Sequence, residues 1–328
     1  MNTPKPYVIK PLTADDLDAV IEIDMSSTGI SRRGYFEKRL AAATDHPKNY
    51  AYVALYVGDK LQGFAFARLA DGEFGKPGAS ASLDAIGTRP EQGHQGYGQI
   101  LLSEVETVLR HKGVETLTSQ VDWETAGVLG FLSGAGFQLS PRLVLTRTTA
   151  EIPPELTDPA QDDGIEELDY SSPDSDDFAA LSRDRVPVRS MVQGDLRKVI
   201  AIDSENSGFD RTDYCSRKMH ESLHESGVRV SLVAELEGFN VGFVMARMDF
   251  GEFGHTSPEA VLDTIGVDPG YAHQGVGKAL MSQLMANLAI LRVETVRTEI
   301  NWNDNALIGY FDAMGFVPAQ RVTLSRPL

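Results

Sequence analysis

The feature that most constrains this chain is an internal repeat. Sliding the sequence against itself by 179 positions pairs Asp16-Leu17 with Asp195-Leu196, Ile23-Asp24 with Ile202-Asp203, and Gly63-Phe64 with Gly242-Phe243. The tetrapeptide Gly72-Glu73-Phe74-Gly75 returns as Gly251-Glu252-Phe253-Gly254, and the two tryptophans, Trp123 and Trp302, are equivalent. About 40 of roughly 141 aligned positions are identical without a gap, which marks a duplicated unit. A chain built this way has to fold twice into one design.

The length agrees, because 328 residues exceed what one core comfortably organises. Hydrophobic residues at 42% and charged residues at 23% suit a soluble globular protein. No apolar run approaches the roughly 20 residues that span a bilayer, and the first residues lack a charged-then-apolar leader pattern. Cys215 is the only cysteine, so intrachain disulfides are excluded and no metal site is expected. The formal net charge of −17 argues against a general binder of nucleic acid or of an anionic membrane. The expected setting is the cytoplasm.

The acid is unevenly placed. Eleven carboxylates and no Lys or Arg lie between Glu151 and Asp177, with Pro153, Pro154, Pro159 and Pro173 among them. Such a stretch buries too little to offset its ordering entropy and reads as a solvated linker, with a dock for a basic partner as the alternative. The expected organisation is residues 1–149 as an N-terminal unit, 150–183 as the acidic linker and 184–328 as a C-terminal unit.

Periodicity gives each unit a mixed α and β character. Asp15–Ile23 carries apolar residues at helical spacing, and Tyr50–Tyr56 and Gly63–Arg68 read as strands joined through Gly58-Asp59. A third strand, Leu83–Thr88 or Leu262–Val267, stops before Pro90 or Pro269, since proline cannot continue a ladder. A glycine loop and a helix follow, Tyr97–Lys112 or Val276–Leu291. Then come the strands Thr116–Val121 and Thr295–Ile300, a helix ending at Gly136-Phe137 or Gly315-Phe316, and a last strand, Arg142–Arg147 or Arg321–Arg326.

The loop is where chemistry enters. It reads Gly93-His94-Gln95-Gly96-Tyr97-Gly98 in the first copy and Ala272-His273-Gln274-Gly275-Val276-Gly277-Lys278 in the second. A strand feeding a Gly-x-Gly turn that opens a helix gathers unpaired backbone amides at one point, and the helix dipole adds positive charge there. A phosphate or pyrophosphate fits such a turn. The run Gly-Lys-[Ser/Thr] of a Walker loop is absent, and the three glycines of a dinucleotide-binding turn are not all present. A tight turn without a ligand is the remaining alternative.

Ile265-Gly266-Val267-Asp268-Pro269 followed by His273 to Leu280 resembles motif A of the GNAT N-acetyltransferase superfamily, and Asn303 through Tyr310-Phe311 to Gly315-Phe316 resembles its motif B. The resemblance covers both units. It implies two tandem α+β domains, each a twisted mixed β-sheet splayed at its middle and flanked by helices. It also implies acetyl-CoA as cosubstrate. The residues placed at that cofactor are Ile265, Val267, Ala272, His273, Gln274, Gly275, Val276, Gly277, Lys278 and Asn305 in the second copy. In the first copy they are Ile86, Thr88, Gly93, His94, Gln95, Gly96, Tyr97 and Gly98. Two positions depart from the pattern. The usual Gln or Arg of motif A is Gly93 or Ala272, with the neighbouring His and Gln as substitute donors. The usual acid-supplying Tyr is Leu132 or Phe311, one step beyond Tyr310.

Acetyl transfer to an amine needs a proton acceptor, a role that suits a carboxylate of raised pKa. The repeated carboxylates are Asp16/Asp195, Asp24/Asp203, Glu73/Glu252, Asp84/Asp263 and Glu115/Glu294. Asp84 and Asp263 stand inside the strand before the loop, Glu73 and Glu252 in a Gly-rich turn, and Asp16 and Asp195 at a helix start. Tyr310, Asp263 and Glu252 are the candidate catalytic residues, which makes the second copy the expected enzyme. Trp123 and Trp302 read as core more than as an acceptor wall, and Cys215 as inert. The expected function is acetyl-CoA-dependent N-acetylation of a primary amine, on a small molecule or a peptide. Two alternatives are a non-catalytic acyl-CoA-binding or sensing protein and a hybrid in which the first copy is structural and completes the acceptor cleft of the second. The acidic surface leans towards a cationic acceptor. A homodimer stays open.

Overall fold

The structure is a computed structural model that describes residues 6–70, 79–92, 95–149, 185–225, 228–249, 252–254 and 259–328. The acidic segment, Glu73, Gly93 and His94 lie outside the described residues. The first copy runs β1 (Val8–Pro11), α1 (Leu17–Thr28), α2 (Arg33–Asp45), β2 (Tyr50–Val57), β3 (Lys60–Leu69), β4 (Ser80–Thr88), α3 (Tyr97–His111), β5 (Thr116–Asp122), α4 (Ala126–Gly134), β6 (Gln138–Leu139) and β7 (Arg142–Thr148). The second repeats the order with β8 (Val188–Ser190), α5 (Leu196–Ser207), α6 (Thr212–His220), β9 (Leu232–Leu236), β10 (Phe239–Asp249), β11 (Glu259–Val267), α7 (Val276–Ile290), β12 (Thr295–Asn301), α8 (Asn305–Ala313), β13 (Val317–Pro318) and β14 (Arg321–Pro327).

Alternation along β3 explains the layers. Ala65 and Ala67 face α3, whose Leu101, Leu102, Val105 and Leu109 are buried, while Phe64 and Phe66 face Val20, Ile23 and Phe36 of α1 and α2. Each large side chain so buried stabilises the fold by about 1.5–3 kcal/mol. Small residues on the α3 face let that helix approach closely: a Cβ on Gly63 would stand 2.9 Å from Leu101 Cδ1 and 2.8 Å from the Gly87 carbonyl. The second copy is layered alike, with α7 on one face and α5 and α6 on the other.

The two units exchange their last long strand. The first sheet has the order β1-β2-β3-β4-β5-β14-β6 and the second β13-β7-β12-β11-β10-β9-β8. Thus β14 of the second copy pairs antiparallel with β5, Arg321 opposite Asp122 through Pro327 opposite Thr116. In the same way β7 of the first copy pairs with β12, Arg142 opposite Asn301 through Thr148 opposite Thr295. The exchange obeys the repeat: Trp123 N–H donates to the Gln320 carbonyl at 3.1 Å and Trp302 N–H to the Pro141 carbonyl at 3.2 Å. Gln120 Nε2 donates to Glu299 Oε2, its own repeat equivalent, at 2.6 Å. A two-fold pseudo-axis therefore passes between Gln120 and Glu299. Strands expected to close their own units instead tie the units together.

Candidate active site

Each sheet opens at the one parallel pair among its described strands. β4 meets β5 at Ser80–Ser82 against Thr116–Thr118, after which the strands part although both continue. Ser119 Oγ, donating to the Leu83 carbonyl at 2.9 Å, makes the last bridge. β11 and β12 pair only at Glu259–Val261 against Thr295–Arg297, and Thr298 Oγ1 bridges to the Leu262 carbonyl at 3.0 Å. A splayed sheet leaves backbone donors and acceptors of the parted strands facing a gap, where a ligand takes the place of the missing neighbour. In the first unit that gap is a cleft of about 510 Å³, lined by Asp84, Ile86 and Thr88 of β4, Gln120 of β5, and Gly98 and Phe131. Phe253 and Gly254 of the second copy also line it, so the neighbouring unit supplies part of its wall.

The glycine loops sit at the head of the parted strands. Gly96 and Gly275 cap α3 and α7 with φ of 77° and 84°, a left-handed conformation that a β-carbon disfavours. Gly98 and Gly277 are close-approach positions. A Cβ on Gly98 would stand 3.1 Å from Phe131 Cε2, and one on Gly277 3.1 Å from Tyr310 Cε2. The first-turn amides of a helix lack intrahelical acceptors, so residues 97–98 and 276–278 offer donors where a pyrophosphate fits. Asp268 Oδ1 orients the second loop by accepting from Gly270 N–H at 3.0 Å, and Asp268 Oδ2 pairs with Lys198 at 2.8 Å. Ala272, His273, Gln274 and Asn305 are exposed beside that loop, and Lys278 is half-buried. The Tyr97 and Val276 side chains point into the hydrophobic cores, leaving only their backbone for a ligand.

The carboxylates separate by environment. Asp84 is buried in the cleft of the first unit, accepts from Arg68 Nε at 2.9 Å and from Ser82 Oγ at 2.7 Å, and burial raises its pKa against the pull of Arg68. Asp263 pairs with Lys218 Nζ at 3.2 Å and with Arg247 Nε at 3.4 Å. Glu252 has no exposure and meets Arg247 at 2.9 Å, Arg297 at 3.0 Å, Arg68 at 3.7 Å and, closely, Arg39. Burial alone would raise its pKa, but Arg247, Arg68, Arg39 and Arg297 hold it well below the usual carboxylate range. A group so held is a poor proton acceptor. Asp16 and Asp195 sit at the helix starts, where Asp16 accepts from Thr13 N–H and Asp195 from Val192 N–H.

The Tyr310 hydroxyl donates to the Gly277 carbonyl at 2.8 Å, and burial raises its pKa well above the phenol range. Its ring and that of Phe131 brace the two loops at equivalent places. Trp123 and Trp302, read from sequence as core, are 61% and 49% exposed, because each follows its strand end into a surface turn. The Cys215 thiol is buried and pushed up to about 12, chiefly by burial, so it stays protonated. Two bordering groups escaped the sequence reading of the site. Arg32, which lines the cleft, donates from Nε to Asp24 at 2.8 Å, and Arg211 repeats this with Asp203 at 2.9 Å. The identity of these four positions between copies was the available signal.

Comparison with known proteins agrees with this geometry. The family model described as "Acetyltransferase (GNAT) family" matches residues 17–137 and 196–316. A protein named mycothiol acetyltransferase from Thermobispora bispora is 24% identical over 277 residues, covering 84% of this chain and 83% of its own. A tandem GNAT protein from the clavulanic acid biosynthesis pathway superposes with a TM-score of 0.58 at 14% identity, covering 98% of both chains. The glucosamine N-acetyltransferase region of a fungal multi-domain β-N-acetylglucosaminidase gives a TM-score of 0.64 at 13% identity, over 98% of this chain and 38% of that one. Two splayed sheets, two Gly-x-Gly helix caps and a family match over both copies lead to one assignment: the chain belongs to the acetyltransferase (GNAT) family, as a tandem member with two copies of its domain.

Proposed function

We propose that the protein transfers an acetyl group from acetyl-CoA to a primary amine, and that the cleft of the first unit does so. The observation that carries this reading is the 510 Å³ opening between β4 and β5 with Asp84 in its lining. Acetyl-CoA supplies an acyl group activated as a thioester. The chain's own residues bind, orient and move protons. The first-turn amides of α3 meet the pyrophosphate, and the parted edge of β4 at Ile86 and Thr88 aligns the pantetheine arm. Asp84, its carboxyl raised by burial, accepts the proton of the acceptor ammonium so that a neutral nitrogen attacks the thioester carbon; the carbon–sulfur bond then breaks, and the sulfur leaves as a thiol with the proton that the nitrogen sheds. Arg68 and Ser82 hold that carboxylate in place.

A second reading puts the chemistry in the C-terminal unit, with the loop 272–278 at the cofactor, Asp263 as base and Tyr310 as acid. The cationic partners of Asp263 and the bond from Tyr310 to Gly277 weigh against it. Titration calorimetry with acetyl-CoA on the wild type and on Gly98→Glu and Gly277→Glu separates the readings. A glutamate at either position adds bulk and negative charge where the pyrophosphate belongs. Loss of binding together with loss of thiol release in Gly98→Glu supports the first reading. The same losses in Gly277→Glu alone support the second.

A further inference from the structure

Besides the cleft, the molecule holds a cavity of about 580 Å³ between the two units, lined by α2 and β3 of the first copy and by α6 and β10 of the second. A cavity of this size suits a small-molecule ligand. Its charge opposes that of the chain as a whole. Five arginines, Arg32, Arg39, Arg68, Arg217 and Arg247, line it together with Lys38. His46 and His220 add two imidazoles, their ring centroids 6.3 Å apart. Glu221 is the one carboxylate among its described lining residues.

Four of these guanidinium groups are fixed from behind by acids that do not line the cavity: Asp24 behind Arg32, Asp84 behind Arg68, Asp263 behind Arg247, and Glu252 against Arg39, Arg68 and Arg247. Buried acids orient the arginine forks before a ligand arrives, so little is lost in ordering them on binding. Arg217 pairs with Glu221 at 3.8 Å, and a concave surface lined mainly by cations focuses its field on what enters.

The cavity adjoins the cleft across a shared wall. Arg32 lines both, and Arg68, in the cavity wall, bonds Asp84, in the cleft. Resting on the transfer reading above, the geometry points to this cavity as the seat of an anionic acceptor, an amine whose other end carries a carboxylate or a phosphate. The anion sits among the inter-unit arginines and the amine reaches Asp84. This departs from the cationic preference that net charge suggests, because the charged side chains that a ligand would meet in the cavity are mostly arginine and lysine. Both copies contribute arginines, so neither unit alone builds the site.

The test compares acceptors matched at the amine: O-phosphoethanolamine with ethanolamine, and alanyl-alanine with alanyl-alaninamide, followed by thiol release from acetyl-CoA. The anionic member of each pair is expected to show a kcat/KM higher by roughly tenfold or more. The preference should fall towards unity in Lys38→Ala/Arg217→Glu, mainly through KM, and be kept in Lys38→Arg. These two positions spare the Glu252 cluster, and an unchanged thermal unfolding midpoint in the double variant checks that its fold is kept. No preference in the wild type, or a preference that the double variant leaves intact, overturns the inference while transfer itself stands. Should no amine release thiol, calorimetry of the CoA-saturated protein with O-phosphoethanolamine decides. Binding that the double variant loses supports the anion site although transfer has failed, and no binding in the wild type rejects both.

Discussion

Glu252 carries the densest charge cluster described in the molecule. One carboxylate with no exposure serves arginines from both copies, Arg39 and Arg68 on one side, Arg247 and Arg297 on the other. Removing one partner of a buried ion pair leaves the others uncompensated, a loss of about 3–5 kcal/mol. Glu252→Gln is therefore expected to lower the unfolding free energy read from urea titration by that amount at neutral pH. The folded-state pKa of Glu252 is depressed, so its contribution is present above the unfolded carboxylate value and is lost as pH falls through the folded one. Wild-type stability should decline on acidification across that range, and the Gln variant should follow a flatter profile. A variant as stable as the wild type would remove Glu252 from the account of how the units hold together. Asp84 has the opposite sign: its pKa is raised, so its favourable contribution is full below the unfolded value and is lost as pH rises through the folded one. Such a group trades stability for a stronger proton acceptor.

At the scale of elements, the exchanged strands decide what can fold alone. β5 finds its antiparallel neighbour only in β14, from the far end of the chain. A chain ending at residue 320 should consequently lose order first in the N-terminal sheet. Amide exchange in Thr116–Asp122 should rise well above that in Thr295–Asn301, which keeps β7; the reverse pattern would contradict the exchange. Much of this architecture was legible in the residues. The helices opening at Tyr97 and Val276, the strand stops before Pro90 and Pro269, and the hairpin through Gly58-Asp59 appear where spacing and proline put them. The exchange was not legible, and the duplication itself explains why. Arg142–Arg147 and Arg321–Arg326 carry nearly the same pattern, so either fits the open edge of either sheet. The site was legible as a loop and a set of repeated acids. Its environment was not, because the turn Glu252-Phe253-Gly254 reaches across to the other unit, where Glu252 binds arginine and Phe253 lines the cleft.

For the whole molecule, the net charge and the lining of the inter-unit cavity differ in sign. Eleven carboxylates lie in the segment from Glu151 to Asp177, outside the described residues, while the inter-unit cavity is lined by six Arg and Lys side chains against Glu221. Duplication has produced a pseudo-symmetric frame whose halves differ where chemistry is sensitive. Phe131 faces Gly98 where Tyr310 faces Gly277, Gln120 stands opposite Glu299, and Arg39 corresponds to Lys218. The central claim is that acetyl transfer belongs to the cleft of the first unit, with Asp84 as its proton acceptor. The most direct test is amine-dependent thiol release from acetyl-CoA, followed against pH for Asp84→Asn and Asp263→Asn. The account predicts that Asp84→Asn lowers kcat/KM by roughly 10²–10⁴-fold and abolishes the acid limb of the profile, while Asp263→Asn keeps that limb. An acid limb that survives in Asp84→Asn and disappears in Asp263→Asn would contradict it.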